Sequence, residues 1–304
     1  MIARAVGCLA LLALLVGCTP SPSTASEPEI FDEGTVTANA IEVGGLSRTY
    51  LVHEPADAVP GEALPLLIVF HGAGAEAVGA ERVTGFTADA NDDGFLVAYP
   101  NGTKANAIDG ELAWNAGACC GRAKADNVDD VGFVMAMIAE LSAEYPVDAS
   151  RIFLVGFSNG GMLSYRLACQ FADAFAGIAV VGGALNYSPC KPTSPVSVLI
   201  VHGTTDATVP YGGGPTNDRT AARFGQWNNT SVEFAADFWT GTDKCETDPV
   251  STTEDALSLD SYQACALGSR VQVATIVGGT HSWPRLETSG VDGSELILEF
   301  FGLN

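Results

Sequence analysis

Ser158 stands at the centre of Gly156-Phe157-Ser158-Asn159-Gly160, a G-x-S-x-G pentapeptide. A serine hydroxyl becomes a useful nucleophile only when a base takes its proton and an acid orients that base. The chain offers four histidines. His53 lies in an early, partly exposed strand and is expected to be structural, whereas His71 and His202 each close an apolar run as His-Gly and are expected to bond locally to loop backbone. His281 differs: it falls in Gly278-Gly-Thr-His-Ser-Trp-Pro284, just after the last apolar run, and is the expected base, a plain loop histidine being the alternative. Asp206, shortly past Val201-His202-Gly203, is the expected acid. Together these residues point to nucleophilic attack on an acyl carbon.

Such a reaction also needs donors for the oxyanion. The N–H of Asn159, next to the nucleophile, is one expected donor. The second is expected from His71-Gly72-Ala73-Gly74, at Ala73 with Gly74 as the neighbouring choice; otherwise this stretch is a glycine turn ending a strand. Trp283 and Tyr211, near the base and the acid, are expected to give an acyl group or sugar ring a flat apolar surface, with Trp239 and Trp114 as further candidates. Core packing is the competing role for these rings.

Elements must position these groups. Continuous apolar runs at 64–70, 95–99, 151–155, 178–181, 196–201 and 271–277 read as strands buried on both faces, whereas 47–52 alternates and suits a sheet edge. Helical patterns fall between them. One is headed by Asp129 and Asp130 and runs to Leu141, a second spans 159–171, a third opens at the capping box Thr230-Ser-Val-Glu233, and a short one closes the chain through Phe301. Alternating strands and helices imply one α/β domain with a mainly parallel sheet covered by helices on both faces. Ser158 sits where a strand meets a helix, the setting in which a serine projects from a tight turn. The glycine-rich, aperiodic stretches 101–128 and 212–229 either shape a site or are plain surface loops.

Residues 1–17, with Arg4 before an apolar run too short for a comfortable membrane span, read as a signal peptide. Leu15-Val16-Gly17-Cys18 matches a lipobox, which makes Cys18 the expected lipidation site and a lipid anchor the only expected membrane contact; a plain secretory signal is the alternative. The Pro/Ser/Thr-rich residues that follow form a tether (18–34) to a domain at 35–304. Six further cysteines remain, an even set that suits disulfides in an oxidising compartment. Cys245 with Cys265, closing a polar excursion, and Cys169 with Cys190 are the expected pairs; Cys119 and Cys120 stay unassigned. Zinc is a poor alternative because no CxxC or nearby histidine accompanies them. With 14 Lys+Arg against 36 Asp+Glu, a net charge of −22 disfavours nucleic acid and acidic ligands and favours a neutral substrate.

HGAGA (71–75), CCG (119–121), NVDDVGF (127–133), GFSNGGMLSYRLAC (156–169), HGTTDATVPY (202–211) and GGTHSWP (278–284) occur in this order. This set resembles the exported polyhydroxybutyrate depolymerase and feruloyl/acetylxylan esterase group of carbohydrate esterase family one, over roughly residues 35–303. The order Ser158, Asp206, His281, each after a separate strand, is the one expected of α/β-hydrolases. The resemblance implies that fold and a serine carboxylic-ester hydrolase without metal or organic cofactor, its triad being Ser158, Asp206 and His281. Its expected substrates are short acyl or hydroxycinnamoyl esters of polysaccharide, or hydroxyalkanoate oligomers. Two departures stand out: Ala73 replaces the cysteine or glycine of many members, and no separate polymer-binding domain is expected, which argues against binding to an insoluble polymer. A peptidase or acyltransferase of the same fold and an inactive glycan-binding surface protein are the rivals, the second opposed by the intact triad.

Overall fold

Every residue of the strand Leu64–Phe70 is buried. Its side chains alternate between two cores: Leu66, Ile68 and Phe70 enter one, Leu67 and Val69 the other. A strand covered on both faces must have helices above and below it, and this one lies inside a ten-stranded sheet. The central six strands are all parallel, in the spatial order Leu96–Pro100, Leu64–Phe70, Val147–Phe157, Gly177–Val181, Ser197–Gly203 and Val271–Ile276. Antiparallel strands extend both edges, Leu46–His53 then Val36–Val43 on one side and Leu257–Tyr262 then Val250–Glu254 on the other. The α/β-hydrolase architecture expected from the sequence is the one observed.

The computed structural model describes residues 1–2, 36–59, 61–106 and 111–304. The signal segment 1–17, apart from residues 1–2, and the tether 18–34 with Cys18 lie outside the described residues. The sheet and its helices belong to one unit, Glu33–Asn304. Among the described residues no helix is long and apolar enough to cross a membrane.

One core is roofed by Asp130–Glu144, Asn159–Phe171 and Val232–Asp243, which contribute Phe133 and Met137, Leu163 and Leu167, and Trp239. The other is covered by Ala77–Thr84, Phe86–Asp93 and Gly293–Phe301, through Ala80, Phe86, Ile297 and Phe300. Asp129 caps the first of these helices, its Oδ1 accepting from the Gly132 amide at 2.8 Å.

Several expectations need correction. The segment at 47–52 is not the sheet edge, because Val36–Val43 pairs along its outer side. The third helix is capped by Ser231, whose Oγ accepts from the Phe234 amide at 3.0 Å, while the Thr230 hydroxyl donates to the Leu185 carbonyl at 3.1 Å. The polar excursion before the last strand holds the hairpin of Val250–Glu254 and Leu257–Tyr262; the outer strand is exposed along its whole length, so no alternation marks it in the sequence. The helices Ala77–Thr84 and Phe86–Asp93 escaped sequence reading because each has only 8 residues, too few for a clear period. Disulfides join Cys169 to Cys190, Cys245 to Cys265, and Cys119 to its neighbour Cys120.

Candidate active site

The strand Val147–Phe157 hands the chain to the helix Asn159–Phe171 at Ser158, which adopts φ 54°, ψ −118°. A positive φ is strained for any residue with a Cβ and persists only where its surroundings impose it. The Ser158 amide donates to the Val181 carbonyl at 2.8 Å, and its carbonyl accepts from the Met162 amide at 3.0 Å. Two glycines make the turn possible. A Cβ on Gly156 would lie 2.3 Å from the Gly160 carbonyl carbon, and one on Gly160 would lie 2.4 Å from the Phe70 carbonyl oxygen. The elbow therefore packs directly on the neighbouring strand.

Three residues separated widely in sequence meet here. The Ser158 hydroxyl lies 2.9 Å from His281 Nε2, and His281 Nδ1 lies 2.7 Å from Asp206 Oδ2. Asp206 follows Ser197–Gly203 and His281 follows Val271–Ile276, so adjacent parallel strands deliver the acid and the base to the same end of the sheet. Phe157 lies against the imidazole with ring centroids 4.9 Å apart. Asp206 Oδ1 accepts from the amides of Thr208 and Val209, each at 2.8 Å. Burial alone would raise its carboxyl pKa, but hydrogen bonds from His202 and His281, the His281 charge and the Val209 amide outweigh it and hold the value well below the ordinary one. An ionised carboxylate on Nδ1 leaves Nε2 free to accept the serine proton.

His71 does a different job. Its Nδ1 lies 2.8 Å from the Gly72 carbonyl, and Nε2 accepts from the Gly102 amide at 3.0 Å. Burial pushes its pKa down to about 4, with the nearby Arg48 charge acting in the same direction against the Gly72 hydrogen bond. The ring is thus a neutral strut beneath the loop that carries Ala73. His53 is also buried, 3.0 Å from Asn91 Oδ1.

Of the expected oxyanion donors, Gly74 is corrected: its amide already donates to the Leu112 carbonyl at 2.7 Å. Ala73 remains half-buried beside the elbow, where a Cβ on the adjoining Gly72 would sit 3.4 Å from Ser158 Cβ. The Asn159 side chain grips Trp114, its Oδ1 accepting from the Trp114 amide at 2.7 Å and its Nδ2 donating to the Trp114 carbonyl at 3.1 Å. Trp114 in turn donates its indole N–H to the His71 carbonyl at 2.9 Å. One residue thus clamps the loop of Ala73 to the helix of Asn159. Cys119 Sγ completes this contact, 3.2 Å from Asn159 Nδ2.

Three of the four tryptophans therefore do not form the substrate surface expected of them. Trp114 and Trp239 are fully buried, the latter stacked on Tyr165 in the core. Trp283 is buried on the opposite core with its indole N–H donating to Ser294 Oγ at 3.1 Å. Tyr211 is half-buried and turns inward, its hydroxyl 2.8 Å from Thr275 Oγ1 and its ring edge-on to His202. Trp227, which no motif singles out, is half-buried and donates to Asn229 Oδ1 at 2.9 Å. Asn229 also accepts from Asn186, whose Nδ2 lies 3.8 Å from Met162 Sδ, one helical turn past the serine. The stretch 212–229 reaches the oxyanion loop as well, for Phe224 Cζ would lie 3.2 Å from a Cβ on Gly74. Through Phe224 this aperiodic stretch touches the oxyanion loop, while several of its other residues, among them Gly212, Pro215, Asp218 and Arg219, stay exposed.

Comparison with known proteins agrees with this geometry. Residues 57–236 match the profile of the phospholipase/carboxylesterase family. The chain is 31% identical over 266 residues to "Putative esterase NocK" of Nocardia uniformis subsp. tsuyamanensis, covering 83% of this chain and 75% of that protein. It is 30% identical over 263 residues to feruloyl esterase B of Piromyces equi, covering 83% of this chain but only 45% of that longer protein. Among solved structures, the acetyl xylan esterase from Aspergillus awamori superposes with a TM-score of 0.60 at 14% identity, covering 88% of this chain and all (100%) of that one. A fold likeness of this kind, together with the family match, leaves one conclusion: the chain belongs to the phospholipase/carboxylesterase family and is an esterase of the α/β-hydrolase fold.

Proposed function

We propose that the protein hydrolyses carboxylic esters through an acyl-enzyme on Ser158. The observation that carries this reading is the unbroken relay from Ser158 Oγ to His281 at 2.9 Å and on to Asp206 at 2.7 Å. His281 takes the hydroxyl proton as Ser158 attacks the ester carbonyl, then passes it to the departing alcohol. A water molecule repeats the sequence on the acyl-enzyme and frees the acid. The Asn159 and Ala73 amides are the proposed oxyanion donors. The clamp on Trp114 would hold both at fixed separation, which such preorganised donors require.

The proposed substrates are short acyl or hydroxycinnamoyl esters of polysaccharide, or soluble hydroxyalkanoate oligomers. Support comes from relatives named feruloyl esterase and acetylxylan esterase, and from a charge of −22 that repels free carboxylates at long range. Export, with a lipid anchor at Cys18, is proposed from the leader pattern alone. A side-by-side assay of methyl ferulate, acetylated xylan, 3-hydroxybutyrate oligomers and a long-chain triglyceride tests the substrate range. Turnover of at least one of the first three above the triglyceride is expected; a clear triglyceride preference would place the protein among lipases.

A further inference from the structure

His202 was expected to be a strand-end histidine bonded to loop backbone, and its contacts go further. Its side chain is almost fully buried, and Nε2 faces two oxygens: the Val209 carbonyl at 2.8 Å and Asp206 Oδ2 at 3.3 Å. A carbonyl and a carboxylate can only accept, so Nε2 must carry the proton and share it between them. Its other nitrogen, Nδ1, has no hydrogen-bond partner although it is buried.

The environment of Asp206 explains the arrangement. Oδ1 is occupied by the Thr208 and Val209 amides, whereas Oδ2 is the atom that meets His281 at 2.7 Å. The two amides restrain Oδ1, and a second donor on Oδ2 beside His281 restrains the atom that aims the base. Among the described residues, His202 is the side chain besides His281 that is placed to supply it. Its ring is held by the strand Ser197–Gly203, where it pairs with Thr275 of the strand that leads to His281, and by the edge of Tyr211 with centroids 5.8 Å apart.

We propose that His202 is a positioning residue whose Nε2–H steadies Asp206 Oδ2 and thereby the orientation of His281. The proposal rests on the reading of Ser158, His281 and Asp206 as the triad. It also assigns Tyr211, through its hydroxyl contact with Thr275, the role of packing this histidine rather than touching substrate.

Three substitutions test it, with circular dichroism to check folding and p-nitrophenyl acetate as substrate. Leu in place of His202 keeps apolar bulk but no donor, Asn is polar but too short to reach Asp206, and Gln places an amide N–H near the position of Nε2. His202→Leu and His202→Asn are expected to lower kcat about 10- to 100-fold, the range for losing one hydrogen bond to a charged group. KM should stay within about twofold, because the substrate does not touch His202. Fluorophosphonate labelling of Ser158 should slow in step with kcat, and His202→Gln should recover most of both. If His202→Leu does not fold, the Asn and Gln variants decide the matter between them. A kcat near wild type in His202→Asn, or equal losses in Asn and Gln, would overturn the proposal. Ser158→Ala run in parallel keeps the two readings apart. Activity surviving in Ser158→Ala removes the triad, whereas an inactive Ser158→Ala beside an unimpaired His202→Asn removes only the role of His202.

Discussion

At the scale of single residues, the site depends on how little space surrounds the elbow. Gly160 presses so closely on Leu64–Phe70 that a methyl group would stand 2.4 Å from the Phe70 oxygen and 2.6 Å from the His71 oxygen. Backbone cannot move aside as a flexible side chain can. Gly160→Ala should therefore destabilise the protein by about 2 kcal/mol or more and remove most activity; a denaturant melt and an ester assay on the same sample check both. The G-x-S-x-G pattern and the strand-to-helix setting were legible because they are local. The grip of Asn159 on Trp114 was not, since its partner lies 45 residues away. Aromatic exposure misled for the same reason. Position beside a motif says little about which way an indole points, and Trp283 turns into a core while Trp227, which no motif marks, stays half-buried.

At the scale of elements, a buried ion pair ties the second strand of the sheet to the active-site loop. Arg48 on Leu46–His53 meets Asp130, the first residue of Asp130–Glu144, at 2.6 Å, and both side chains are almost fully buried. Asp130 Oδ2 also accepts from the Asn115 amide at 2.6 Å, next to the Trp114 that Asn159 holds. Arg48 lies over the Phe133 ring and donates to the Asn101 carbonyl as well. Taking away one partner leaves the other charge uncompensated in the interior. Asp130→Asn is expected to cost about 3–5 kcal/mol in a urea melt, and an effect below about 1 kcal/mol would show the pair to be replaceable. From the sequence, Asp130 reads only as a carboxylate suited to a helix dipole. Its distant arginine lies 82 residues earlier and carries no local signature. The six parallel strands were legible because burial on both faces writes an unbroken apolar run. The outer hairpin, lying at an exposed edge, writes nothing comparable.

At the scale of the whole molecule, acidity reaches into the interior. Asp243 ends the helix Val232–Asp243 with a buried side chain, neither of whose carboxylate oxygens has a hydrogen-bond partner, and that burial pushes its carboxyl up to about 6. A carboxyl raised in the folded state contributes stability that is complete below its unfolded value near 3.8 and is lost as pH rises through about 6. Asp243→Asn should therefore gain on wild type between about pH 4 and 6 and keep that gain at neutral pH. Thermal melts across this window check the sign, and a constant difference at all pH values would count against it. Composition made the charge of −22 plain at once, but only packing reveals which carboxyls lie inside.

The central claim is that Ser158, served by His281 and Asp206, performs the ester chemistry. Its most direct test is the rate of p-nitrophenyl acetate hydrolysis by wild type and by Ser158→Ala, with folding verified by circular dichroism. The Oγ atom alone is lost, so the fold should be unchanged while kcat drops by about 1,000-fold or more. A folded Ser158→Ala variant that retains most of the wild-type rate would contradict the assignment.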